Sequence, residues 1–309
     1  MQLKNQSIYC KIICGDSKTV LPSLTEKAQL IVTSPPYADA RKKHYDSIHP
    51  DQYADWFFNF HKPFWDILDD NGSFVLNIKD KIVNGSRHRF VWKTILKLEE
   101  AGWKSVDDYI WYKTNPMPGY WPNRLRDGWE YCFHLAKNTK PRIFQDNVKI
   151  PIGDWTGSRL SKLRGKDLKR HNSENESGFG RDLTYWLEKE KVLPSNVIKI
   201  PEFEYSTELI CPDESYSPNI IDLPLVGKNY RHPAVFPVGL PDFFIRLFTE
   251  ENDLVIDPFS GSGSTGIAAI KLNRNSILVD NDEEYCNTAY NRIKEEADKN
   301  GTKIIKEGF

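Results

Sequence analysis

At positions 34 to 37 the chain reads Ser34-Pro35-Pro36-Tyr37, preceded by Thr33 and the apolar run Leu30-Ile31-Val32. Such a run reads as a strand buried on both faces of a parallel sheet. In open α/β sheets ligands bind beyond the carboxyl ends of the strands. These four residues therefore fall where chemistry can occur. Two adjacent prolines fix the backbone and donate nothing through nitrogen, leaving carbonyl oxygens as acceptors. A hydroxyl, a fixed carbonyl and an aromatic face together suit a planar group that carries an amine.

A second stretch has the same strand-to-loop character. Leu254-Val255-Ile256-Asp257 runs into Pro258-Phe259-Ser260-Gly261-Ser262-Gly263-Ser264-Thr265-Gly266. Gly261, Gly263 and Gly266 satisfy G-x-G-x-x-G, and Asp280 ends the next apolar run nineteen positions after Gly261. By spacing alone this fits a dinucleotide-binding loop, and other adenosine ligands fit it equally. Position separates them. Only 43 residues follow Gly266, enough for one more strand and helix, whereas a dinucleotide enzyme builds the rest of its sheet after this loop. The remaining strands must come from the N-terminal half, so the two loops line one crevice.

The elements that would hold these loops alternate in type. Strands are expected over 8–14, 30–33, 73–78, 106–112 and 130–135, and helices from Ser17 as cap to Leu24, over 53–68 and over 90–100. Order is lost between about 140 and 229 and returns with a helix over 243–248, a strand over 254–257, a helix over 266–272, a strand over 276–279 and a helix over 284–296. The alternation indicates an α/β fold with a mostly parallel sheet. Three parts are expected: 1–140, an insertion over 141–229, and 230–309.

Composition narrows the class. The chain has 309 residues, 28% of them charged, with a formal net charge of −1 and a mean hydropathy of −0.57. Neither a membrane-spanning run nor a signal peptide is read from it. Five scattered cysteines without a Cys-x-x-Cys pair suggest neither a disulfide framework nor a metal site, and a reducing cytoplasm fits best. The balanced charge argues weakly against nucleic acid, but its distribution argues the other way. Arg159, Lys162, Arg164, Lys166, Lys169 and Arg170 stand against the single acid Asp167 within thirteen residues of the insertion, a place for DNA phosphates.

Taken in order, the blocks resemble the amino-methylating DNA methyltransferases, in the permuted group whose catalytic motif precedes the target-recognition region and whose cofactor loop comes last. Gly15-Asp16-Ser17 precedes Thr33 to Tyr37, and Asp70-Asn71-Gly72-Ser73 opens a strand. Ile110-Trp111-Tyr112-Lys113-Thr114-Asn115-Pro116-Met117-Pro118 follows, then Arg231-His232-Pro233-Ala234, Phe236-Pro237 and the glycine loop. The resemblance spans everything except 141–229. It implies a Rossmann-like, doubly wound S-adenosylmethionine-dependent methyltransferase fold with an inserted target-recognition region, acting on a flipped base in double-stranded DNA. It implies that Asp257, Phe259, Gly261, Gly263 and Ser264 border S-adenosylmethionine, that Asp280 binds its ribose and Asp16 its adenine. A serine heading Pro-Pro-Tyr is the version that goes with cytosine methylated at N4, with N6-adenine the alternative. A cognate restriction endonuclease is the implied functional partner.

In that reading Ser34 Oγ and the Pro35 carbonyl accept hydrogen bonds from the amine, and Tyr37 stacks on the base. One of Trp111 and Tyr112 forms the opposite wall, since strand alternation turns only one inward. No general base is evident; Asp39, His44 and Asp46 follow the motif but read as loop residues. Carbon-5 methylation is excluded, because its cysteine nucleophile after a proline is missing. A catalytically silent DNA-binding module and a nicotinamide oxidoreductase are the readings from other classes.

Overall fold

In this computed structural model the described residues are 8–39, 48–113, 124–125, 127–151 and 237–308, with four two-residue strand segments between the last two ranges. The apolar runs become strands, and polar or proline-bearing junctions separate them. In chain order the elements begin β1 (Tyr9–Cys14), α1 (Ser17–Val20), β2 (Ala28–Thr33), α2 (Pro50–Phe58) and α3 (His61–Ile67). Then follow β3 (Leu68–Ile78), β4 (Lys81–Val83), β5 (Ser86–His88), α4 (Phe90–Glu100), β6 (Lys104–Tyr112) and β7 (Trp129–Ala136). The short segments are β8 (Ile150–Pro151), β9 (Lys169–Arg170), β10 (Arg181–Asp182), β11 (Lys191–Val192) and β12 (Val197–Ile198). The chain closes with α5 (Gly239–Phe248), β13 (Leu254–Asp257), α6 (Ser264–Lys271), β14 (Asn275–Asp280), α7 (Glu283–Asn300) and β15 (Lys303–Glu307).

Nine strands form one sheet in the order β12-β6-β7-β3-β2-β13-β14-β1-β15. Every pairing is parallel except those of β7, which runs antiparallel between β3 and β6. The carboxyl ends of β1, β2, β3, β6, β13 and β14 thus share one edge with the amino end of β7. Helices cover both faces. Ile31, Phe74, Leu76 and Ile256 face α2, α3 and α4, while Leu30, Val32, Val75 and Val255 face α5 and α6. A third cluster packs α6 and α7 on Cys10, Ile12 and Leu278. The central strands β2, β13 and β14 lack polar alternation because both their faces are buried.

Several expectations shift. The single helix over 53–68 is two, parted at Asn59 and Phe60. Pro63 explains the break: in one continuous helix its ring would strike the carbonyl of Asn59, whereas three residues into α3 it is tolerated. Strand β3 begins at Leu68, and the register against β2 slips between Ala28 and Leu30, so Asn71-Gly72 lies in an irregular stretch of strand. The helix begun at Ser17 is only one turn of α-helix followed by a 3-10 turn over Leu21–Ser23. Its cap is Asp16, whose carboxylate accepts from the Lys18 N–H at 2.9 Å. Strand β15, absent from the sequence reading, adds a parallel edge beside β1. Its Lys303, Lys306 and Glu307 keep that edge charged.

The packed body also runs past 140. Phe144 N–H donates to the Leu247 carbonyl at 2.7 Å, and Arg142 N–H to the Asn71 carbonyl at 2.9 Å. Val148 is buried beside α5. Within the insertion, β12 extends the main sheet by pairing with Ile110 and Trp111 of β6. Among the basic residues, Lys169 and Arg170 form β9, antiparallel to β10. Arg159, Lys162, Arg164 and Lys166 lie outside the described residues, as do His44, Asp46 and His232.

Candidate active site

Strands β2 and β13 are neighbours, with Val255 opposite Leu30 and Ile256 opposite Ile31. Two segments far apart in sequence therefore emerge side by side. The clasp between them is Asp257. Its carboxylate accepts from Thr33 Oγ1 and from Thr265 Oγ1, each at 2.6 Å, and from Phe259 N–H at 3.1 Å. It is fully buried, and burial without a cation pushes its pKa up to about 6. Thr33 directly precedes Ser34, so this carboxylate fixes the catalytic motif and the first turn of α6 to each other. Ser17 Oγ adds a third tie by donating to the Pro258 carbonyl. Asp257 was expected to border the cofactor; with its oxygens engaged and no exposure, it braces the crevice instead.

The glycine loop is rigid by construction. Gly261 and Gly263 have φ of 48° and 82°, the left-handed region where a side chain is strained. A Cβ on Gly263 would lie 2.9 Å from Ala289 Cβ, and one on Gly266 would lie 2.7 Å from Leu278 Cδ1. These two glycines let α6 approach α7 and β14. Gly263 thus serves packing through the side chain it lacks. Arg292 of α7 holds the loop through the carbonyl and hydroxyl of Ser262, both at 2.6 Å.

The residues left to meet an adenosine ligand lie along adjoining strand ends. Gly15 N–H donates to the Asp280 carbonyl at 2.8 Å, and Ser260 N–H to the Val279 carbonyl at 3.0 Å. Asp16, Asp280 and the loop are therefore contiguous. Asp280 accepts from Gly261 N–H at 2.8 Å and Asp282 N–H at 3.1 Å, and burial lifts its pKa to about 6. With about four acceptor positions on a carboxylate, it keeps one for a ribose hydroxyl. Asp16 is exposed, and Phe259 is half-buried with its ring 4.9 Å from that of Phe60. Ser260 Oγ and Ser264 Oγ are buried with no hydrogen-bond partner among the described residues. Buried hydroxyls are normally satisfied, so two idle ones in this loop fit a polar ligand. The donor set suits S-adenosylmethionine.

Across the clasp, the Ser-Pro-Pro-Tyr turn is held by other partners. Tyr53 Oη of α2 donates to the Pro36 carbonyl at 2.9 Å. Pro35 is buried, and Ser34, Pro36 and Tyr37 are half-buried. Tyr37 Oη donates to Glu130 Oε2 at 2.5 Å and lies 3.3 Å from Asn77 Oδ1. Ser34 Oγ donates to Tyr37 Oη at 3.4 Å. Glu130 also pairs with Lys113 Nζ, whose ammonium sits 4.6 Å from the centre of the Trp111 ring. Burial and the Glu130 carboxylate together hold the Tyr37 phenol far from ionisation.

Trp111 faces α5 in the core and is 2% exposed. It is a wall of the fold, not of the crevice, which corrects its expected contact with DNA. Tyr112 is half-buried and packs on the margin of the same cluster, so the expected alternation does not part the pair cleanly. Thr33, Asn77, Glu130 and Lys113 carried no role in the sequence reading. One signal for Glu130 existed: it is the lone acid in Trp129–Ala136, an otherwise apolar and aromatic strand.

A doubly wound α/β sheet that gathers a Ser-Pro-Pro-Tyr turn and a glycine loop on one edge has the architecture of a nucleic-acid amino-methylating enzyme. Residues 28–291 match the DNA methylase family. The chain is 30% identical over 293 residues to the type II methyltransferase M.PvuII of Proteus hauseri, spanning 91% of this chain and 81% of that protein. It is 32% identical over 294 residues to the type II methyltransferase M.BglI of Bacillus subtilis, spanning 88% and 82%. The solved PvuII DNA methyltransferase (cytosine-N4-specific) superposes with a TM-score of 0.61 at 22% identity, covering 97% of this chain and 98% of that one. The Thermus thermophilus protein TTHA0409, solved in complex with S-adenosyl-L-methionine, gives 0.59 at 20% identity, covering 97% and 99%. The chain belongs to the DNA methylase family, and it is an S-adenosylmethionine-dependent DNA methyltransferase.

Proposed function

We propose that the protein methylates the exocyclic N4 amine of cytosine at a short site in double-stranded DNA, as the protecting partner of a restriction endonuclease. The observation that carries this reading is Ser34, held beside the glycine loop by the Thr33–Asp257 clasp. Its hydroxyl donates to Tyr37, which leaves its lone pairs free to accept from an amine. No hydrogen bond to the Pro35 carbonyl is made among the described residues, so it is a second acceptor. S-adenosylmethionine, when bound, supplies an electrophilic methyl on a sulfonium.

The cytosine amine is a poor nucleophile because its lone pair is delocalised into the ring. Two acceptors favour a more tetrahedral nitrogen, each worth about 1 kcal/mol net. Fixing the amine in line with the methyl contributes more, up to roughly 7–11 kcal/mol in the best intramolecular cases. The half-buried ring of Tyr37 offers a face for the extruded base. Asp16, Phe259, Gly261, Ser264 and Asp280 would hold the cofactor, and the basic run from Arg159 to Arg170 would meet phosphates, making affinity fall steeply with salt.

Incubating unmethylated plasmid DNA with the enzyme and isotopically labelled S-adenosylmethionine, then resolving nucleosides by mass spectrometry, tests the reading. N4-methylcytosine is expected; N6-methyladenine alone would overturn it. Ser34→Ala should lower turnover while calorimetric cofactor affinity is kept.

A further inference from the structure

Methylating an amine leaves a proton to remove; Asp39 faces Lys81 at 3.4 Å, and His44 and Asp46 lie outside the described residues. The hydrogen bonds around Ser34 supply another route. Ser34 Oγ donates to Tyr37 Oη at 3.4 Å, and Tyr37 Oη donates to Glu130 Oε2 at 2.5 Å. All donors point the same way, from the half-buried serine to a carboxylate 3% exposed. We propose that this chain is a proton relay, with Glu130 the terminal acceptor for the proton the target amine loses; this rests on the proposed amine methylation.

The step balances. The N4–methyl bond forms as the methyl leaves the sulfonium, whose electron pair stays on sulfur. As it forms, the amine N–H proton passes to Ser34 Oγ, the serine proton to Tyr37 Oη, and the tyrosine proton to Glu130 Oε2. Serine and tyrosine end as they began, and Glu130 becomes neutral. A nitrogen that has given its lone pair to a methyl is a strong acid, so a carboxylate is base enough. Tyr37 need never ionise, in keeping with a phenol pKa held well above the usual range.

The surroundings of Glu130 fit an acceptor that must stay anionic until the reaction. Lys113 pairs with its other oxygen. Lys79, at the end of β3, adds a second positive charge nearby, itself facing Asp127 at 3.8 Å and Arg87. Asn77 Nδ2 lies 3.4 Å from Oε2 and bonds the Tyr131 carbonyl at 3.0 Å. The Cys132 thiol, lifted above its ordinary pKa by burial, is another titratable neighbour. When Glu130 is protonated, Lys113 keeps the Trp111 ring as a partner. The proton returns to solvent along the same path once product leaves the half-buried Ser34.

The test uses full-length wild type, Tyr37→Phe and Glu130→Gln in single-turnover methylation of plasmid DNA across pH. Tyr37→Phe keeps the ring and the Glu130–Lys113 pair, so it reads the relay even if Glu130→Gln misfolds. Each variant should lose about 10²-fold in rate and lose the acid limb of the wild-type pH profile. Calorimetric affinity for S-adenosylmethionine and filter-binding affinity for DNA should stay within about twofold. Tyr37→Phe reacting at wild-type rate, or slowing with an unchanged pH profile, would overturn the relay. If the wild-type product is N6-methyladenine, the cytosine reading fails separately, and the same rates still decide the relay.

Discussion

Asp257 offers the sharpest physical test of how the crevice is built. Its pKa of about 6 compares with about 3.9 for aspartate in an unfolded chain. The folded state therefore binds the proton more tightly than the unfolded state. Stability contributed by this group rises as pH falls through 6 and levels off below about 4. The difference of roughly two units corresponds to about 3 kcal/mol at 1.4 kcal/mol per unit, of which about half falls between pH 8 and pH 5. Asp257→Asn removes the titration but keeps a carbonyl oxygen for one threonine, while the other hydroxyl can turn to accept from the amide. Urea unfolding of the cofactor-free protein and the variant at pH 5 and pH 8 gives two stability differences. Wild type should gain about 1–2 kcal/mol relative to the variant on going from pH 8 to pH 5. Asp280, also raised to about 6, titrates in both proteins and largely cancels. A wild-type protein that loses stability relative to Asp257→Asn on acidification would refute the picture of a buried carboxylate held without a cation.

Gly263→Ala forces a side chain into φ 82° and to 2.9 Å from Ala289 Cβ and Ile293 Cδ1, so about 2–4 kcal/mol of stability should be lost; a melting temperature within about 1 °C of wild type would contradict it. Tyr53→Phe removes the donor on the Pro36 carbonyl, worth about 1 kcal/mol. Turnover should fall several-fold in steady-state methylation, with cofactor affinity kept.

Much of the fold was legible because both faces of its central strands are buried, which writes them as unbroken apolar runs. The helix over 90–100 and the strand over 254–257 came out with the expected bounds. Boundaries failed where a local rule was overridden or overlooked: Pro63 splits α2 from α3, and the register slip in β3 absorbs Asn71-Gly72 into a strand. Strand β15 was missed because five residues with three charges carry little pattern of their own; pairing with β1 makes them a strand.

By itself the sequence determined the two loops, their order, and the residue types that can hold an amine and an adenosine. Those properties are local: a serine before two prolines and glycines at fixed offsets act through their own backbone geometry. Only the tertiary structure decided which side chains line the crevice and which hold it together. Asp257 moved from ligand to framework, Gly263 gained a packing role, and Trp111 moved into the core. Glu130 and Lys113 entered the site from the antiparallel strand β7 and the end of β6. A buried carboxylate and its partners are set by distances between segments far apart in the chain, and no spacing along the sequence encodes them.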